Sequence, residues 1–176
     1  MATFNVINHQ ELSGSATTVT HSSISGSYDH LYGIVNARSD QSAWKTGMMI
    51  QFNNDTGANY GFTDIQAASG TPSTYGQTNA TAIGYPPIPG ASATANAFSC
   101  SYFYIPDYTS TAKFTQLIFV SVAPSNSGTS AQWEVKQTAA IWKSTAAITE
   151  IDFTLNGGDD FVQYSTFTLY GINGAA

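Results

Sequence analysis

The chain has 176 residues, enough for one hydrophobic core and too few to expect two. Only 9% of its residues are charged and the net charge is −6, while it carries ten Phe, ten Tyr and three Trp. This mixture excludes a disordered chain, which would lack aromatic and β-branched residues. It also excludes a nucleic-acid partner, because phosphate neutralisation needs clustered Lys and Arg, and Arg38, Lys45, Lys113, Lys136 and Lys143 stand singly.

No apolar run approaches the ~18 residues of a membrane-spanning helix, so no membrane association is expected. The opening Met1-Ala2-Thr3-Phe4 lacks the charged and apolar regions of a secretory signal, and the chain is expected to be made in the cytosol and used as translated. Cys100 has no second cysteine to pair with and is expected as a small core residue inside a strand.

Taken in order, the residues alternate with a period of two almost throughout. Strands are predicted at Thr3–Leu12, Ala16–Ser22, Tyr28–Ala37, Gly47–Asn53 and Ala58–Gln66 in the first half. In the second half they fall at Ala97–Ile105, Phe114–Val122, Gln132–Lys143, Ile148–Leu155 and Tyr164–Ile172. Turn residues separate them: Ser25-Gly26-Ser27, Asn53 to Gly57, Ile105 to Tyr108, Ser125 to Gly128 and Asn156 to Asp159. No segment carries a capped helical stripe. About ten short strands with regular turns predict a single all-β domain over 1–176, an antiparallel two-sheet β-sandwich of jelly-roll-like type.

One stretch departs from this pattern. Residues 67–96 are rich in Gly, Ser, Thr, Ala and Pro and contain Tyr85-Pro86-Pro87-Ile88-Pro89-Gly90. The stretch reads either as a long loop ordered by a partner or as a plain excursion with a short strand at Thr81–Gly84. Its Tyr75, Tyr85, Pro86 and Pro87, with Tyr108 in a turn, are the candidate contacts for a protein interface or a glycan. Phe62, Trp133 and Tyr164, at alternating positions, are expected to pack in the core.

Residues that would carry chemistry do not assemble into a motif. The carboxylates lie mainly in turns, as Asp55, Asp107, Asp159 and Asp160 do. A calcium loop built from Asn53, Asn54, Asp55 and Asn59 matches no EF-hand spacing. His9, His21 and His30 lack the helical pairing of a zinc hydrolase, and there is no Gly-x-Ser-x-Gly elbow. The expectation is a non-enzymatic protein with no cofactor and no metal.

Several strings follow one another in order: Ser22 to Leu31, Asn36 to Asp40, Gln51 to Tyr60, Ile88 to Ala91, Tyr104 to Tyr108, Ile141 to Thr149 and Phe161 to Ile172. Together they resemble a family of small virion structural proteins of tailed phages, particularly aquatic ones, over nearly the whole chain. The resemblance implies a place in the virion after assembly in the host cytoplasm. It leaves two roles open. One is a capsid decoration or cement protein that clamps the major capsid protein as a homo-oligomer, a trimer for preference. The other is a tail-associated adhesin that binds host-surface glycan.

Overall fold

The computed structural model describes residues 3–125 and 133–173, and in these the chain is all β. Twelve strands run β1 (Thr3–Glu11), β2 (Thr18–His21), β3 (His30–Asn36), β4 (Lys45–Phe52), β5 (Tyr60–Ala68), β6 (Thr71–Ala80), β7 (Ile83–Pro89), β8 (Cys100–Pro106), β9 (Thr115–Ala123), β10 (Glu134–Trp142), β11 (Ile151–Leu155) and β12 (Thr166–Asn173). They form two antiparallel sheets, an eight-stranded one ordered β1-β12-β3-β8-β9-β10-β5-β6 and a four-stranded one ordered β2-β11-β4-β7. The predicted β-sandwich is present. Its pairing is nested, since β1 meets β12, β2 meets β11 and β4 meets β7, as in a long hairpin rolled into two layers.

The two additional strands both come from the stretch read as an excursion. Thr71–Ala80 adds β6 to the edge of the large sheet, and Ile83–Pro89 adds β7 to the edge of the small one. Neither advertises itself. β6 is exposed along almost its whole length, so no alternation marks it. β7 carries Pro86, Pro87 and Pro89, which argue against a strand except at an edge, where a missing N–H on the outer side costs nothing. The remainder of the stretch is tied down by Arg38, whose guanidinium donates to the carbonyls of Ala91, Ala93, Thr94 and Ala97. Asn126, Ser127 and Gly128 of one predicted turn, and the Gln132 that opens a predicted strand, lie outside the described residues.

The core lies between the sheets. Phe153 of β11 reaches across to Phe103 of β8 and Phe167 of β12, with ring centroids 5.9 and 5.3 Å apart. Phe103 in turn stacks on Phe119 of β9. Gly33 lies opposite Phe103, and a Cβ there would sit 2.1 Å from its ring, so the glycine lets the aromatic lie flat on the sheet. At one end of the layers Phe52, Tyr60 and Trp142 pack together, with the Trp142 indole N–H donating to Asp55 at 2.7 Å.

Three expectations about single side chains are corrected. Cys100 is exposed, because β8 turns Ser101, Phe103 and Ile105 inward, and Ser101 shares a 2.7 Å hydrogen bond with Ser121 of β9. Trp133 is 48% exposed, because β10 presents the alternate set of residues to the interior. Tyr164 is 62% exposed and sits at φ 70° in the turn before β12. Phe62 is buried as expected.

The interior set on β10 is Glu134, Lys136, Thr138, Ala140 and Trp142, so two charged groups point into the sandwich. Lys136 Nζ lies 3.3 Å from Asp64 Oδ2 on β5, with the two side chains 7% and 0% exposed. Glu134 is paired with Lys45 of β4 across the layers. Burial, and then the neighbouring Lys136 ammonium, holds Lys45 below the ordinary lysine range. Neither Asp64 oxygen accepts a hydrogen bond, so the ion pair alone compensates that buried carboxylate. Removing one member of a buried pair strands the other charge, whereas replacing both is tolerated. Asp64→Asn is therefore expected to lower the unfolding free energy by about 3–5 kcal/mol in urea titration, and the double variant Asp64→Val, Lys136→Met to recover most of that loss.

His21 of β2 is 1% exposed, its ring set edge-on against Phe153 and its Nδ1 without a hydrogen-bond partner. Burial, with a smaller contribution from His9, pushes the imidazole down from 6.5 to about 4. The folded protein keeps this ring neutral where the unfolded chain takes up a proton. Stability from this group is therefore complete above pH 6.5 and falls as the pH drops toward 4. Urea titration at pH 4.5 is expected to show a loss of about 2–3 kcal/mol relative to pH 7. His21→Leu is expected to flatten that segment of the profile.

Candidate functional site

Strand geometry puts alternate residues on opposite faces, so what faces the core fixes what faces outward. On β10 the outward set is Val135, Gln137, Ala139 and Ile141, and on β5 it is Gly61, Thr63, Ile65 and Ala67. β10 is inverted relative to an ordinary half-buried strand, with Glu134 and Lys136 inside and Val135, Ala139 and Ile141 outside, while β5 places Asp64 inside beside the buried Tyr60 and Phe62. The neighbouring strands continue the outer surface with Ile118, Val120 and Val122 on β9, Tyr102 and Tyr104 on β8, Tyr32 and Ile34 on β3, and Tyr170 and Ile172 on β12. Across these six strands the outward positions contain no Asp, Glu, Lys or Arg.

Register aligns these side chains into rows that cross the sheet. One runs Tyr170, Tyr32, Tyr104, Ile118, Ala139, Thr63 from β12 to β5. The next runs Thr168, Ile34, Tyr102, Val120, Gln137, Ile65. The two halves of the face differ in relief. On β12, β3 and β8 the aromatic rings make a ridge, in which Tyr32 stacks on Tyr102 at 6.0 Å and 27° and Phe4 of β1 meets Tyr32 and Tyr170 edge-on. On β10 and β5 the small Ala139 and Gly61 leave a groove of about 560 Å³, bounded by Tyr104, Pro106, Ile118 and Ile141. Several of these side chains are well exposed, with Ile65 at 65%, Ile118 and Val135 at 49% and Tyr102 at 42%. Burial, and then Tyr102, raises the Tyr32 phenol above its ordinary range, and burial followed by Asp107 does the same for Tyr104, so both rings stay neutral. This surface is the candidate interaction site of the molecule.

The residues singled out from the sequence fall elsewhere. Pro86 and Pro87 are buried in β7, and Tyr108 is fully buried with its hydroxyl donating to the Ser25 carbonyl. All three are enclosed within the folded chain, away from the outer face of the large sheet. Tyr75 is 47% exposed on the edge strand β6, and Tyr85 is half-buried. Both rings meet Phe62, each at 6.0 Å, so they form a small cluster on the inner side of the sandwich rim and not on the outer face. The Asn53–Asn59 turn is occupied by its own framework. Asn53 Oδ1 accepts from the Thr149 and Glu150 amides, and Asp55 accepts from Trp142, Asn59 and Gly57. Among the described residues no group of three or more His, Cys, Asp or Glu is placed to hold a metal ion.

The outer face was missed from the sequence although its signal is there. In β3 and β8 both alternating sets are apolar or aromatic: Leu31 and Val35 against Tyr32 and Ile34, Phe103 and Ile105 against Tyr102 and Tyr104. A strand that is apolar on both sides is one that expects cover on both sides. Comparisons of the chain with protein-family models, with curated proteins and with solved structures find no match.

Proposed function

We propose that the chain is a structural component of a tailed-phage virion, acting as a capsid decoration or cement protein. The observation that carries this reading is the outer face of the large sheet, largely apolar and uncharged over six strands, while Glu134 and Lys136 of β10 and Asp64 of β5 turn to the inside. Covering such a face yields roughly 25 cal/mol for each Å² of apolar area without the desolvation of any charged group. The chemistry suits permanent assembly, where cover is always present, better than transient steering by charge. The β6 edge, ten residues long and without a charged side chain, has the same requirement, because an open uncharged edge invites unspecific pairing unless a neighbour covers it. The family resemblance of the sequence supplies the virion. In this reading the partners are other copies of the chain and the capsid lattice, the major capsid protein first among them. No catalytic step, cofactor or metal enters the role.

The stacked tyrosines favour one other role, a tail-associated adhesin, since a flat aromatic platform also accepts the apolar face of a sugar ring. Copy number separates the two. Quantitative mass spectrometry of purified virions is expected to find the chain at a ratio to the major capsid protein of one to one, or one to a few. A ratio of one to tens would transfer it to the tail, and absence from the particle would overturn the virion assignment.

A further inference from the structure

We propose that the outer face of the eight-stranded sheet is the interface between two copies of this chain, related by a two-fold axis that runs along the strands between β8 and β9. The proposal rests on the reading that this face is built to be covered, and it names what covers it. Three features select a second copy. The first is charge: the chain is acidic overall, at −6, yet the six central strands carry no charged side chain on this face. Two identical molecules therefore approach here without like charges opposed.

The second feature is relief. The aromatic ridge occupies β12, β3 and β8, and the shallow half occupies β9, β10 and β5. An axis in the plane of contact, parallel to the strands and midway across the six, turns each half onto the other. The row from Tyr170 to Thr63 then meets its own reversed image. Tyr104 lies over Ile118 of the second copy, Tyr32 over Ala139, and Tyr170 over Thr63 beside the groove at Gly61. In this row tyrosines face smaller side chains on both sides of the axis, and in the next row Tyr102 meets Val120, Ile34 meets Gln137 and Thr168 meets Ile65, so the face is matched to its own image as an isologous contact requires. Face-to-face packing of twisted sheets about 10 Å apart, with strands nearly aligned, accommodates this arrangement.

The third feature is area. Six strands about 4.8 Å apart, each contributing about seven residues at 3.4 Å, give a patch of roughly 24 by 24 Å. That is about 600 Å² per copy and about 1,200 Å² in total, the lower bound for a specific, stable interface. A three-fold assembly, by contrast, joins two different surfaces of each copy, and one self-matching face does not supply them.

The test is the mass of the purified full-length chain by sedimentation, with circular dichroism to confirm the fold of each variant. The wild type is expected at twice the chain mass at tens of micromolar. Ala139→Glu places a carboxylate in the shallow half of the face without touching the core, and is expected to remain folded and weaken self-association about 100-fold or more. Tyr75→Glu, on the inner side of the rim, is expected to leave the dimer intact. Cys100 gives a second readout that needs no variant: it projects from the same face, and its alkylation by a maleimide is expected to slow at least five-fold as concentration drives dimerisation. A wild-type monomer at hundreds of micromolar, a trimer, or a dimer indifferent to Ala139→Glu with Cys100 equally reactive would each overturn the proposal. None of these results alters the abundance of the chain in virions, so failure of the dimer and failure of the virion role are distinguishable.

Discussion

In a β-sheet a shift of one residue sends every side chain of a strand to the other face, and in this molecule the setting of β10 decides the character of both faces of the large sheet. Two anchors hold it. At one end Trp142 is enclosed by Phe52 and Tyr60 and hydrogen-bonded to Asp55. At the other, Glu134 and Lys136 meet Lys45 and Asp64 between the layers. A buried ion pair contributes little net stability against a hydrophobic replacement. What these pairs do is oppose the alternative register, in which Val135, Ala139 and Ile141 would turn inward and leave the partners Asp64 and Lys45 without counter-charges.

The consequences reach outward from that choice. With the ions inside, the aliphatic residues of β10 and β5 must face solvent or a partner, and the register carries the same exposure across β9, β8, β3 and β12. The small sheet covers only the inner face. In the proposed role, adhesion follows from the same alternation that makes the core. A fold that spends its charged residues on the inside and on turns has an uncharged surface left over, and the low charge content of the chain is the compositional trace of that arrangement.

Much of the fold was legible in the sequence because its signal is local. Alternation in Ala97–Ile105, Phe114–Val122 and Tyr164–Ile172, punctuated by turn residues, places β8, β9 and β12 within a few residues of their observed bounds. β6 was not legible, and β7 only at its start, where the predicted Thr81–Gly84 overlaps it at Ile83 and Gly84. A two-sided exposed edge has no alternation, and a proline-rich edge strand contradicts the usual strand composition. The site was less legible still. Tyr75 and Tyr85 were singled out because they sit among loop-forming residues, whereas the face proposed here is made of Tyr32, Tyr102, Ile118 and Ala139, ordinary strand residues whose outward direction depends on which of two sets the core accepts. For β10 the core accepts the charged set, and only the tertiary pairing with Asp64 and Lys45 explains that choice.

The central claim is that this outer face is covered when the protein works, and hydroxyl-radical footprinting of the chain diluted to its monomer against the assembled particle tests it most directly. Tyr102, Ile118 and Val135 report the face, while Tyr164, exposed in the turn before β12, gives the reference. The account predicts that labelling of the three face residues falls several-fold on assembly relative to Tyr164. Labelling of Tyr102, Ile118 and Val135 at undiminished rates in the assembled particle would contradict it.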